Sequence, residues 1–220
     1  MPLLIPPVAP ALPIAKNDYT KIYQDTFGNV LRLYFNQIDS VNSAVLGPMG
    51  MQYLDAPHIA ASDSTNQYAP GNDTPTLVKW NTAEAVNGFT LNTNNTATAQ
   101  VSGIYKIDYS LQVVNNANTI HEIFVWLQVN GSQLTNSASR FTLAARKSGS
   151  IFSFIVAYSS VVFEAEAGDD IGLWWATDLA AQASPAVDGV FLNALPVQTT
   201  PYARPASPSA IGSITFLGRP

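Results

Sequence analysis

The side chains best able to do chemistry are few in this sequence and far apart. Its histidines are His58 and His121, and it has no cysteine, which excludes thiolate catalysis, disulfides and cysteine-held zinc. His58 falls in a stretch rich in Gly, Pro, Ser, Asn and Asp, and His121 opens an apolar run. Neither is accompanied by a nucleophile-elbow glycine pattern, a phosphate-binding glycine loop or a metal-spaced set of His, Asp and Glu. An enzyme would have to be assembled from Ser, Tyr and carboxylates without a signature. The expectation is therefore a protein that is not an enzyme, with no catalytic residues, no metal and no cofactor.

Two other clusters could carry chemistry. Glu164, Glu166, Asp169 and Asp170 crowd hard oxygen donors around one turn, which is what calcium requires. The favoured reading is a solvated Gly-Asp turn whose Asp caps its own backbone, because Glu164 and Glu166 share one strand face and need not meet the turn carboxylates. The Trp174-Trp175 pair could stack on a sugar. Strand alternation sends neighbouring rings to opposite faces, however, so one in the core and one at an interface is the expected outcome.

These residues need elements to hold them, and composition constrains what those are. Of the 220 residues, 47% are hydrophobic and only 11% are charged, well below the usual quarter or so, so much of the surface must be buried against something other than water. A net charge of −5 without basic clusters excludes nucleic acid as a partner. Residues 1 to 16 begin MPLLIPPVAPALPIAK, a run broken by prolines that fits neither a signal peptide nor a membrane helix. This is an extended arm, and its apolar side chains Leu3, Leu4, Ile5, Val8, Leu12 and Ile14 call for a groove on another protein as an anchor.

A helix is predicted from Asn17 or Asp18 to about Val45, closed by Gly47-Pro48, in a segment spanning residues 17 to 47. Phe27, Leu31, Tyr34, Ile38, Val41 and Val45 recur at alternating spacings of four and three, a heptad seam suited to self-association, with Leu33 and Phe35 widening the stripe. Residues 48 to 74 read as a linker or ordered loop. From 75 to 220 the pattern is β throughout, with strands expected at 76–80, 89–91, 96–101, 105–113, 120–129, 139–145, 151–163, 170–176, 189–195 and 210–217. Short strands with turn residues between them predict an antiparallel sandwich.

The stretch TIHEIFVWLQVNG poses a difficulty for a lone sandwich. Ile123, Val125, Leu127 and Val129 supply one apolar face, while Phe124 and Trp126 make the opposite face apolar too. Phe152, Phe154, Tyr158 and Trp174 are further candidates for one apolar layer or the other.

In order and spacing, GIYKIDYSLQV, FVWLQVNG, FEAEAGDDIGLWW and SAIGSITFLG resemble the trimeric jelly-roll superfamily of tumour necrosis factor and the complement globular heads. The resemblance covers about residues 75 to 220. It implies a mainly β fold, an antiparallel jelly-roll sandwich preceded by the arm and one short helix, assembled as a homotrimer with Phe124 and Trp126 facing sister subunits. FGNVLRLYFNQIDSVN resembles the short helix near the N-terminus of small virion proteins of tailed bacteriophages, in particular those infecting marine cyanobacteria. Together these imply a structural virion protein anchored by its arm to a capsid or tail protein, as a capsid decoration, head fibre or tail-fibre component. The alternative is a module that binds a host-surface glycan or protein receptor through loops such as 115–119, 135–139 and 178–188. Neither reading inserts the chain into a membrane.

Overall fold

The computed structural model describes residues 7 to 12, 20 to 46, 56 to 182 and 187 to 219. The chain divides into two compact units, Met1–Asp55 and Ala56–Pro220. Among the described residues no helix is long and apolar enough to cross a membrane.

In the first unit, helix α1 spans Lys21–Leu46. Its start is set by Thr20, whose hydroxyl accepts the Tyr23 amide at 3.3 Å, an N-cap that relieves one of the unpaired amides of the first turn. The cap anticipated at Asn17 or Asp18, and the Gly47-Pro48 stop, lie outside the described residues, as do Leu3, Leu4, Ile5 and Ile14 of the arm. Val8 and Leu12 are exposed. All six seam residues of α1, from Phe27 to Val45, are half-buried, and Tyr23 stacks on Phe27 at 6.2 Å. Leu33 and Phe35, expected to widen that stripe, are exposed on the single chain.

The second unit is an antiparallel sandwich of two sheets. Its strands are β1 (His58–Asp63), β2 (Thr76–Leu77), β3 (Thr82–Asn87), β4 (Phe89–Leu91), β5 (Ala97–Ala99), β6 (Gly103–Asn115), β7 (His121–Val129), β8 (Ser132–Gln133), β9 (Ser139–Leu143), β10 (Ser153–Ala165), β11 (Asp170–Thr177), β12 (Val190–Leu192) and β13 (Ala210–Gly218). The first sheet runs β10-β6-β13-β1-β3 with β12 also on β6; the second runs β4-β5-β11-β7-β8 with β2 on β11 and β9 on β7. Long strands alternate between sheets along the chain, which is the jelly-roll order. The fold class expected from sequence is therefore the fold observed.

Alternation along β6 places Tyr105, Ile107, Tyr109, Leu111 and Val113 inward and fully buried. They meet Ile123, Val125 and Leu127 of β7 and Leu173 and Trp175 of β11 across the sandwich, with Val129 packed at the rim. Each large side chain so buried contributes about 1.5–3 kcal/mol, which supplies the stability that disulfides cannot. At one end, Tyr105 meets Phe89 edge-on at 5.2 Å and Phe216 at 5.5 Å. Gly103 permits this packing, because a Cβ there would sit 2.2 Å from the Phe216 ring.

The stretch 48 to 74 is expected to be a linker or ordered loop, with the head beginning at 75. Instead β1 pairs along its whole length with β13 and anchors β3 on its other edge. Its sequence HIAASD shows no apolar alternation, because two buried polar residues replace it. Ser62 donates to Glu84 at 2.7 Å, and Asp63 accepts from the Thr65 amide at 2.7 Å and from Asn81 at 3.3 Å. The exposed β3, TAEAVN, was likewise missed for want of a pattern.

Candidate functional site

The first sheet presents an outward face whose chemistry follows from the register. On β10 the odd positions Ile155, Ala157, Val161 and Phe163 turn towards the core. The even positions Phe154, Val156, Tyr158 and Val162 turn outward and are 61%, 55%, 59% and 58% exposed. Tyr158 stands opposite Ser110 of β6, which stands opposite Ile211 of β13, itself exposed. Val162 stands opposite Lys106, and Lys106 opposite Thr215. An apolar strip along β10 thus borders a polar strip along β6.

The polar strip is paired within itself. Lys106 Nζ lies 3.0 Å from Asp108 Oδ2, and the Tyr158 hydroxyl donates to Asp108 Oδ1 at 3.3 Å. Burial raises the Asp108 carboxyl, but hydrogen bonds from Lys106, Ser160 and Tyr158 and the Lys106 charge outweigh it, leaving the group below its ordinary value. Charges that are already matched lower the cost of covering this face. β10 is also the terminal strand of its sheet, which leaves a long edge beside the apolar strip.

Phe124 and Trp126 project from the outward face of the other sheet, where the chain provides partial cover. Phe124 is 40% exposed, and the Arg140 guanidinium lies 5.9 Å over its ring while pairing with Glu122. Trp126 is half-buried and stands opposite Trp174 of β11. Its indole nitrogen is buried without a hydrogen-bond partner, so the ring presents carbon outward. The turn between β8 and β9 folds beside both rings and leaves a groove of about 440 Å³. These two aromatics therefore stand apart from the exposed apolar strip on β10.

The remaining sequence candidates resolve clearly. Trp175 is fully buried and Trp174 half-buried on the other face, as alternation requires. Asp169 accepts the Glu166 amide at 2.8 Å and Asn130 Nδ2 at 2.7 Å, so this carboxylate serves its own turn. Asp170 accepts from Thr98 and from Asn92 Nδ2. No group of three or more His, Asp or Glu among the described residues is disposed to hold a metal. His58 Nδ1 lies 2.9 Å from the Ala56 carbonyl.

His121 joins a row that its sequence position concealed. Thr119 Oγ1 lies 2.7 Å from its Nε2 and Asp178 Oδ2 3.0 Å from its Nδ1, while Asp178 Oδ1 accepts the Glu122 amide at 3.0 Å. A hydroxyl, imidazole and carboxylate in this order have the connectivity of an activated nucleophile. None of the three lines the groove, and together they fasten the loop before β7 to the end of β11. Burial raises the Asp178 carboxyl, while the Glu122 amide, His121 and Thr177 outweigh it and hold it low.

Val156, Val162 and Ile211 were not singled out from sequence. The signal was present, since residues 151 to 163 are apolar at both odd and even positions, as in β7; what was absent was any sign of which strand lies at an edge.

No family profile matches the sequence, and no curated protein matches it. Among solved structures the chain is similar to that described as the structure of Eiger TNF from S. frugiperda, at 13% identity over 75% of this chain and 93% of that one, with a TM-score of 0.45. The strand order and register of the two sheets themselves define the jelly roll.

Proposed function

We propose that this chain is a non-enzymatic structural protein of a tailed-bacteriophage virion, a homotrimer whose N-terminal arm attaches it to the particle. In this reading α1 clamps three copies, and the jelly roll forms the outward head of a capsid decoration, head fibre or tail-attached fibre. The observation that carries self-association is the apolar strip of Phe154, Val156, Tyr158 and Val162 on a terminal strand, continued by Ile211. Five half-covered side chains of this size, each worth about 1.5–3 kcal/mol when fully buried, can offset the cost of association only if every copy contributes. The half-buried heptad seam of α1 supports the same assembly. The particle context draws on the phage-like helix sequence and the apolar arm, through which threefold attachment would gain avidity.

The test is the mass of the full chain in solution at micromolar concentration, where a trimer is expected and a single-chain mass overturns the reading. Deleting residues 2 to 14 should keep the trimer and abolish attachment to particles; truncated protein that still decorates them refutes the anchor. A second reading, a head that binds host-surface glycan or protein, draws on the groove beside Phe124 and Trp126. Binding of intact protein to host envelope material, rather than to particles alone, favours it.

A further inference from the structure

We propose that the groove between β7 and the β8–β9 turn is a binding site for a neutral saccharide. This deepens the second reading above, on which it rests, by naming the ligand class and the side chains that contact it. The groove encloses about 440 Å³, within the range of roughly 300–1,000 Å³ typical of small-ligand sites. Its floor is the carbon surface of Phe124 and Trp126, and its rim carries Gln133, Thr135 and Asn136. No charged side chain lines it, and the Arg140 guanidinium over the Phe124 ring is already matched by Glu122.

That combination selects among ligands. A pyranose has one face of C–H groups that packs on an aromatic ring and a periphery of hydroxyls that need donors and acceptors together, which side-chain amides supply. The rim side chains of Gln133, Thr135 and Asn136 are exposed and make no hydrogen bond with other described residues. An anionic ligand would find no unpaired cation, and a purely apolar one would strand the rim amides.

The groove is also pre-formed. Ser137, buried beneath the turn, donates its hydroxyl to the Leu134 carbonyl at 2.8 Å and accepts the Leu127 amide at 3.0 Å. The Leu134 amide in turn donates to the Leu127 carbonyl at 3.0 Å. Asn136 holds a left-handed conformation with φ of 63°, which aims the turn's apex and which Asn tolerates well. A turn backbone held this way adds little ordering entropy of its own, leaving the rim side chains to be ordered by the ligand.

Glucose, galactose, mannose and N-acetylglucosamine are the probes, offered to the full chain at millimolar concentration and read by saturation-transfer NMR and tryptophan fluorescence. At least one should bind, and Gln133→Ala with Asn136→Gly should weaken it by about tenfold or more, glycine being chosen because it keeps the backbone conformation. N-acetylneuraminic acid, which is anionic, should bind more weakly than the best neutral sugar. Absence of binding by every neutral probe overturns the site, as does binding that survives the double substitution, or an anionic sugar that binds as well. Should the chain bind host envelope material with no effect of the substitutions or of competing sugars, the second reading stands and this inference falls. An unchanged melting temperature in the double variant separates lost contacts from lost folding.

Discussion

β7 and β10 both carry apolar side chains on each face, yet the chain gives a second cover only to β7. β7 lies inside its sheet, flanked by β11 on one side and by β8 and β9 on the other, and the turn between those two short strands folds beside Phe124 and Trp126 and covers them in part. β10 ends its sheet, and its outward row stays more than half exposed from Phe154 to Val162. Composition alone treats the two strands alike. Position within the sheet decides whether an apolar surplus is absorbed internally or left for another molecule, because a strand flanked on both sides has neighbours from which a turn can fold back.

The sharpest way to break this comparison is to place a charge on each strand's outward row in turn. Val156→Glu should leave the head folded, since the position is exposed, and should raise the dissociation constant of the assembly by about 100-fold or more, equivalent to roughly 2.7 kcal/mol. Phe124→Glu should leave the assembly intact. Analytical ultracentrifugation of the two variants checks the contrast, and a reversal of the two outcomes would return the interface to β7.

A smaller effect probes how β7 obtains its cover. Ser137→Ala removes the hydroxyl that pins the turn and strands the Leu127 amide in a buried position. A loss of about 1–3 kcal/mol is expected in denaturant unfolding. The assembled mass should not change.

The smallest effect is the response to acid, which separates the two regions again. Asp108 of β6 beside β10 and Asp178, which follows β11 beside the start of β7, both have carboxyls held below their ordinary values. Each therefore adds stability that is present above the unfolded value of about 4 and is lost as the pH falls through the lower folded value. Melting temperatures taken downward from about pH 6 should decline, and Asp178→Asn should flatten part of that decline by removing one titrating group. Asp108→Asn should flatten a different part and also alter the pH dependence of assembly.

Much of the head was legible in the sequence where side chains alternate in type. Tyr105 to Val113 announce β6, and Asn130-Gly131 announces its turn, which the structure forms with φ of 51° and 76° at the two residues. β1 and β3 were illegible because Ala, Ser and Thr carry no periodic contrast, and because the buried Asp63 reads as a loop residue until its partners are known. The row of Thr119, His121 and Asp178 was hidden for another reason: its members are brought together by the pairing of β7 with β11, across 57 positions of chain between His121 and Asp178. The groove was half legible, since Phe124 and Trp126 stood out, while Gln133 and Asn136 looked like ordinary turn residues.

The bare margin of β10 has a consequence for how copies are made. Stacking face against face around an axis closes after a few members, whereas pairing margin to margin can extend without end. A closed ring that buried the outward row of β10 would also cover that margin and leave no template for an open-ended ladder. Ser159 faces inward on that strand, where its hydroxyl contact of 3.1 Å with Ser139 of β9 ties one sheet to the other and leaves the margin itself uncovered.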